Sequence, residues 1–169
     1  MPTISNWAFA ALATGLVAAT VIDIQTRRIP NAITAGMAAM GLGLALTGIS
    51  GMSLGAAALG LVLGLGLMLP GHALGATGAG DVKLMAAIGS LVGPMLVVKA
   101  FLFTAIAGGV LAVIVAMRRQ RLRATVAGTA RMIATPGGAQ AEIKAATGSS
   151  RFAYGPAIAI GSIVAVMFG

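Results

Sequence analysis

From Ile29 to Gly71 the chain carries no Asp, Glu, Lys, Arg or His, and residues 1–22, 100–117 and 152–169 are equally free of them. A bilayer-crossing helix needs about 20 apolar residues to cover about 30 Å of hydrocarbon. A charge at the bilayer centre costs about 2.5–3.5 kcal/mol on insertion scales. Stretches this long and this free of charge therefore point to lipid as the main solvent. The 169 residues are 59% hydrophobic and include a further 25 Gly, but only 11 Lys or Arg and 3 Asp or Glu. Soluble domains sit near 45–50% apolar with glycine counted. A soluble globular domain, a disordered chain and a disulfide scaffold are excluded. The lack of Cys also excludes a thiolate-ligated zinc or iron–sulfur centre.

The expected fold is all-α: a polytopic membrane protein, a single domain over 1–169, with about six transmembrane helices. The spans read as 5–24, 31–48, 53–70, 83–93, 95–117 and 152–168, with a basic loop at 118–151. The fourth is the shortest, reaching only about 16 Å at 1.5 Å per residue. Either it begins nearer Thr77 or it sits deep in the bundle. Pro94 separates it from the fifth.

Charge placement orients the bundle. Arg27 and Arg28 follow the first span and Lys83 follows the third. Arg118, Arg119, Arg121, Arg123, Arg131, Lys144 and Arg151 fill the 118–151 segment. Six crossings put all three clusters on one side, which should be cytoplasmic, with both termini external. Five crossings would split them. Lys99 is the exception and is expected to snorkel outward. A net charge of +8 would suggest nucleic acid in a soluble protein. Here it is read as loop charge facing anionic lipid, and no nucleic-acid partner is expected. Nothing basic precedes Arg27, so no cleavable signal peptide is read.

Glycines recur at 51, 55, 60 and 64, and again at 89 and 93. Small residues four apart let helices approach closely in lipid, so these are assigned to packing. Leu122, Val126, Ala130 and Ile133 lie near helical spacing among five Arg. Residues 118–134 thus read as an amphipathic helix on the inner surface, with a solvated basic loop as the alternative.

The acidic residues are Asp23, Asp81 and Glu142. Asp23 closes the first span and Asp81 opens the fourth, on the face that the charge pattern makes cytoplasmic. Two carboxylates that meet in low dielectric cannot both ionise easily. One could then activate water against a peptide carbonyl while the other donates a proton, which is aspartyl proteolysis. Structural alternatives stand beside this. Asp23 could pair with Arg27 one turn on, and Asp81 could cap the fourth helix. His72 is the only His and is placed in a short loop. A metal site would need both Asp as well as His72, and neither a metal nor another cofactor is expected. Glu142 is assigned to a surface pair with Lys144.

Three segments together carry a resemblance. Asp23-Ile-Gln-Thr-Arg-Arg-Ile-Pro-Asn31 is followed by Ala-Ile-Thr34. Gly78-Ala-Gly-Asp81 is followed by Val-Lys-Leu-Met-Ala-Ala-Ile-Gly89. Tyr154-Gly-Pro-Ala-Ile-Ala-Ile-Gly161 lies near the end. In this order across six spans, the chain resembles the bacterial type IV prepilin peptidases, of the Gly-x-Gly-Asp membrane aspartyl protease class. The resemblance implies that Asp23 and Asp81 are the catalytic pair. It implies a prepilin or pseudopilin precursor as substrate, cut at the cytoplasmic face of the bacterial inner membrane. It further implies that Gly78, Gly80, Lys83, Pro30 and Asn31 border the substrate. Gly78 and Gly80 would admit its backbone, and Pro30 suits the first turn of the second helix. For Arg27, Arg28 and Lys83, anchoring of the helix ends is the favoured reading.

The chain opens on a span and lacks Cys. It is therefore similar to the small, peptidase-only form that serves Flp/Tad-type pili, and no methyltransferase activity is expected. A Pro is expected beside Tyr154, but Arg151-Phe152-Ala153 stands there, which leaves the role of the third segment open, packing alone being one reading. Two rival functions are a small proton-coupled transporter or channel using Asp23 and Asp81 as a relay, and an assembly subunit of a membrane complex.

Overall fold

The computed structural model describes residues 4–118 and 154–168. They form six helices: α1 (Asn6–Thr26), α2 (Asn31–Leu46), α3 (Leu54–Ala73), α4 (Ala79–Val92), α5 (Pro94–Arg118) and α6 (Gly155–Phe168). The expected amphipathic helix at 118–134, Glu142 and the lipid contact of the 118–151 loop lie outside the described residues, apart from Arg118 at the end of α5.

The helix boundaries follow from local chemistry. Ser5 and Ser53 cap α1 and α3 by accepting the N–H of Ala8 at 3.3 Å and of Ala56 at 3.2 Å. Gly93, at φ +83°, ends α4, and Pro94 opens α5, where a missing N–H costs nothing. Pro30 is the residue before α2, one position ahead of the first helical turn.

The helices α1, α3 and Pro94–Ile114 of α5 are long and apolar enough to cross a membrane, while α2 and α6 are shorter apolar helices. Their outward faces carry large apolar side chains such as Trp7, Val17, Leu59, Val62 and Ile106, as a lipid-facing surface requires. The longer helices carry apolar residues on both faces, so polarity alone does not mark the face that each buries.

The fourth helix begins at Ala79, four residues before the expected start, and has 14 residues. It packs against α1, α2, α3, α5 and α6. From Asp81 to Leu91 only Lys83 is exposed. A helix that is wrapped in protein need not match the bilayer thickness, which is why it can be short.

Glycine lets its neighbours come that close. A Cβ on Gly60 would fall on the Gly89 carbonyl, one on Gly89 would fall on that of Gly60, and one on Gly64 would meet the Met85 carbonyl. The packing role thus holds for Gly60, Gly64 and Gly89. Gly51 and Gly93 serve positive-φ turns instead, and Gly55 faces open space.

Successive helices run in opposite senses. The end of α1 and the starts of α2, α4 and α6 therefore meet at one end of the bundle. Two long-range hydrogen bonds mark it: Lys83 Nζ to Asn31 Oδ1 at 2.9 Å, and Gly155 N–H to Asp23 Oδ2 at 2.8 Å.

Candidate active site

Asp23 lies one turn before the end of α1. There the Thr26 hydroxyl donates to the carbonyls of Ile22 at 2.9 Å and Arg28 at 3.0 Å. Arg27 adopts a left-handed conformation (φ 54°, ψ 33°), and its N–H closes the helix on the Asp23 carbonyl. The chain turns away and leaves the Asp23 side chain pointing inward, 5% exposed. A carboxylate this deep must be partnered. The partner is not Arg27, since no ion pair joins them among the described residues. Asp23 Oδ2 instead accepts the N–H of Gly155, the first residue of α6. A helix N-terminus presents free N–H groups and a positive dipole end, both favourable to an anion.

Asp81 is 7% exposed. Its Oδ2 accepts the Gly78 N–H at 2.9 Å, and its own N–H reaches the Gly78 carbonyl at 3.1 Å. Asp81 therefore does cap α4, and does so from the third position of the helix, where a carboxylate also meets the dipole favourably. Capping and chemistry are compatible, because a carboxylate has about four lone-pair positions and this cap uses one. Asp23 and His72 both lie within electrostatic reach of Asp81.

The remaining candidates divide. Lys83 and Asn31 are exposed and bonded to each other beside Asp81. Gly78 is exposed as well, and a Cβ there would come 3.2 Å from Asp81 Oδ2. Gly80 has a packing reason to be glycine, since its Cβ would come 3.0 Å from that of buried Ile29. His72 lies in the last turn of α3 rather than in a loop, because the helix runs on through Pro70. Its Nδ1 pairs with the Thr77 carbonyl at 3.0 Å. Among the described residues, no three of His, Cys, Asp or Glu gather where they could hold a metal ion.

One residue at the site escaped the sequence reading. The third segment does more than pack, because Gly155 supplies the hydrogen bond to Asp23. Tyr154, next to it, lies within electrostatic reach of Asp81. The signal was the Tyr-Gly-Pro string itself, a helix start whose first N–H a distant carboxylate could take.

Comparison with known proteins gives a family. The model of the type IV leader peptidase family matches residues 10–113. A curated protein of Escherichia coli O78:H11 (strain H10407 / ETEC), described as a type 4 prepilin-like proteins leader peptide-processing enzyme, is 35% identical over 122 residues. That alignment takes in 65% of this chain and 44% of the relative, so the chain matches less than half the relative's length. No solved structure matches.

Proposed function

The chain belongs to the type IV leader peptidase family, and from that premise we propose that it is a membrane-embedded aspartic endopeptidase. On this reading it removes the leader of Flp-like prepilins or pseudopilins at the cytoplasmic face of the bacterial inner membrane. One observation carries the proposal. Two of the three carboxylates in the chain, far apart in sequence, are both buried at one end of the bundle and within electrostatic reach of each other.

The chemistry runs through Asp23 and Asp81. One, ionised, takes a proton from water as the oxygen attacks the scissile carbonyl. The other, protonated, donates a hydrogen bond to that carbonyl. As the tetrahedral intermediate collapses, the C–N bond breaks and the amine leaves with a proton from the carboxyl pair. Neither metal nor covalent intermediate is required. The pair can share a proton because two adjacent carboxylates in low dielectric do not both ionise readily. Gly78, exposed beside Asp81, leaves room for an extended backbone. Lys83, Asn31 and Pro30 border the same opening, and Gly80 holds α4 against Ile29. The substrate's basic leader stays in the cytoplasm while its apolar helix lies alongside the enzyme in lipid. The 118–151 loop, rich in Arg, meets anionic headgroups.

The test is co-expression with a prepilin-type precursor. Asp23→Asn and Asp81→Asn should each insert normally and leave the precursor uncut on a gel. Mature product at the wild-type level in both variants refutes the proposal.

A further inference from the structure

Asp81 is held by its own helix, whereas Asp23 is held by another one. Its partner, the Gly155 N–H, opens α6, 132 residues further on. The fit there is close. A Cβ on Gly155 would stand 2.8 Å from Asp23 Oδ2, 3.1 Å from its Cβ and 3.3 Å from its Cγ, so a side chain at 155 would push the carboxylate away. The start of α6 is itself seated. The Tyr154 carbonyl accepts the Ile158 N–H at 3.1 Å, beginning the helix. The Tyr154 ring lies on Gly108 of α5, where a Cβ would come 2.5 Å from the hydroxyl oxygen and 2.7 Å from Cε2. Gly108 and Gly155 are both buried. A continuous line of contacts thus runs from α5 through Tyr154 and Gly155 to Asp23.

We propose that Gly155 is the positioning residue for Asp23, kept in register by the seating of Tyr154 on Gly108. This rests on the reading of Asp23 as catalytic. Without this bond an aspartate one turn from a helix end has several rotamers open to it, including one directed at Arg27. With Oδ2 fixed by Gly155, Oδ1 is left to face water and substrate in one orientation. Misplacing a catalytic group by an ångström is enough to slow a reaction by about 10²-fold. The family match ends at residue 113, so this role falls to a part of the chain that the match does not reach.

The experiment uses the full chain in membrane vesicles with a prepilin-type precursor. Gly155→Ala should lower kcat at least tenfold with KM within twofold, and Gly108→Ala should lower kcat in the same sense. The control is Gly161→Ala in α6, where a Cβ would meet Thr104 of α5 without touching Asp23. It should lower the melting temperature while the folded enzyme keeps its kcat. Amide hydrogen exchange reads the contact directly. The first N–H of a helix has no partner within the helix, so protection at Gly155 depends on Asp23. Asp23→Ala should speed exchange at Gly155 at least tenfold and leave Ile158 unchanged.

Wild-type kcat in Gly155→Ala overturns the proposal. So does equal loss of kcat in Gly161→Ala, or Gly155 exchange indifferent to Asp23→Ala. If Gly155→Ala does not accumulate, the exchange measurement decides. Asp23→Ala that still processes precursor refutes the protease reading itself. Inactive Asp23→Ala beside fully active Gly155→Ala removes the positioning role alone.

Discussion

Lys83 and Asn31 are 52 positions apart, and the Lys83 ammonium donates to the Asn31 side-chain oxygen at 2.9 Å. The bond joins α4, two residues after Asp81, to the start of α2. Because Lys83 is exposed there, little of the fold depends on it. Substitution at such a surface position usually changes stability by no more than about 0.5 kcal/mol. Lys83→Met should therefore accumulate and melt like the wild type. If this pair borders the substrate, KM for a precursor should rise about three- to tenfold with kcat little changed, as expected for lost ground-state binding. Steady-state kinetics on purified enzyme checks this. An unchanged KM would leave the pair as an anchor between helices.

Substitution can separate the capping role of Asp81 from the catalytic role proposed for it. As a cap it accepts the Gly78 N–H, and loss of a cap costs about 0.5–2 kcal/mol. As a proton donor or acceptor it should contribute at least about 10²-fold in rate. Asp81→Asn keeps an oxygen for Gly78 but cannot titrate, so it should melt near the wild type and be inactive. Asp81→Ala should be inactive and less stable by about 1 kcal/mol. Thermal unfolding in detergent, run beside a processing assay, separates the two. An active Asp81→Asn would reduce Asp81 to a cap.

The seam between α3 and α4 gives a stability prediction. A Cβ on Gly60 would fall on the Gly89 carbonyl, and carbonyl groups in helices do not move aside cheaply. Gly60→Val should cost about 1–3 kcal/mol through overpacking. It should also impair processing, because α4 carries Asp81. Gly66 lies in the same helix with nothing within 4 Å of its missing Cβ. Gly66→Ala should be neutral or gain up to about 1 kcal/mol from helix propensity. Melting temperatures of the two variants test the contrast.

The same glycines show what the sequence could reveal. Helix number and order were legible because lipid demands long uncharged stretches and places charge at their ends. The two aspartates stood out because buried carboxylates are costly and this chain has so few. Which face of each helix turns inward was not legible. In α1 the buried Ala8, Leu12, Gly15, Leu16 and Ala19 are as apolar as the outward-facing Trp7, Phe9, Val17 and Val21. Burial makes helix four short, and neighbouring helices are invisible to a reading along the chain. For the same reason the role of Gly155 is not legible along the chain, since its N–H matters only through a partner 132 positions away. A span ending at residue 70 leaves His72 in a loop, whereas α3 runs on through Pro70 to Ala73.

The side of the membrane that this site faces can be decided by a chemical label, because the chain has no Cys and any thiol introduced is unique. Arg28 is exposed beside the carboxylate end of the bundle, and Met95 is 72% exposed at the opposite end, where α5 begins. Neither residue contacts Asp23 or Asp81 through a hydrogen bond. Basic residues flanking membrane spans are retained on the cytoplasmic side, and Arg27, Arg28 and Lys83 lie at the site's end. A membrane-impermeant maleimide added to spheroplasts should therefore label Met95→Cys, and should label Arg28→Cys only after lysis. Both variants should still process precursor, which shows that the labelled molecules are folded. Labelling of Arg28→Cys in intact spheroplasts, with Met95→Cys protected, would invert the orientation. The carboxylate pair would then face away from the compartment in which the leader is made.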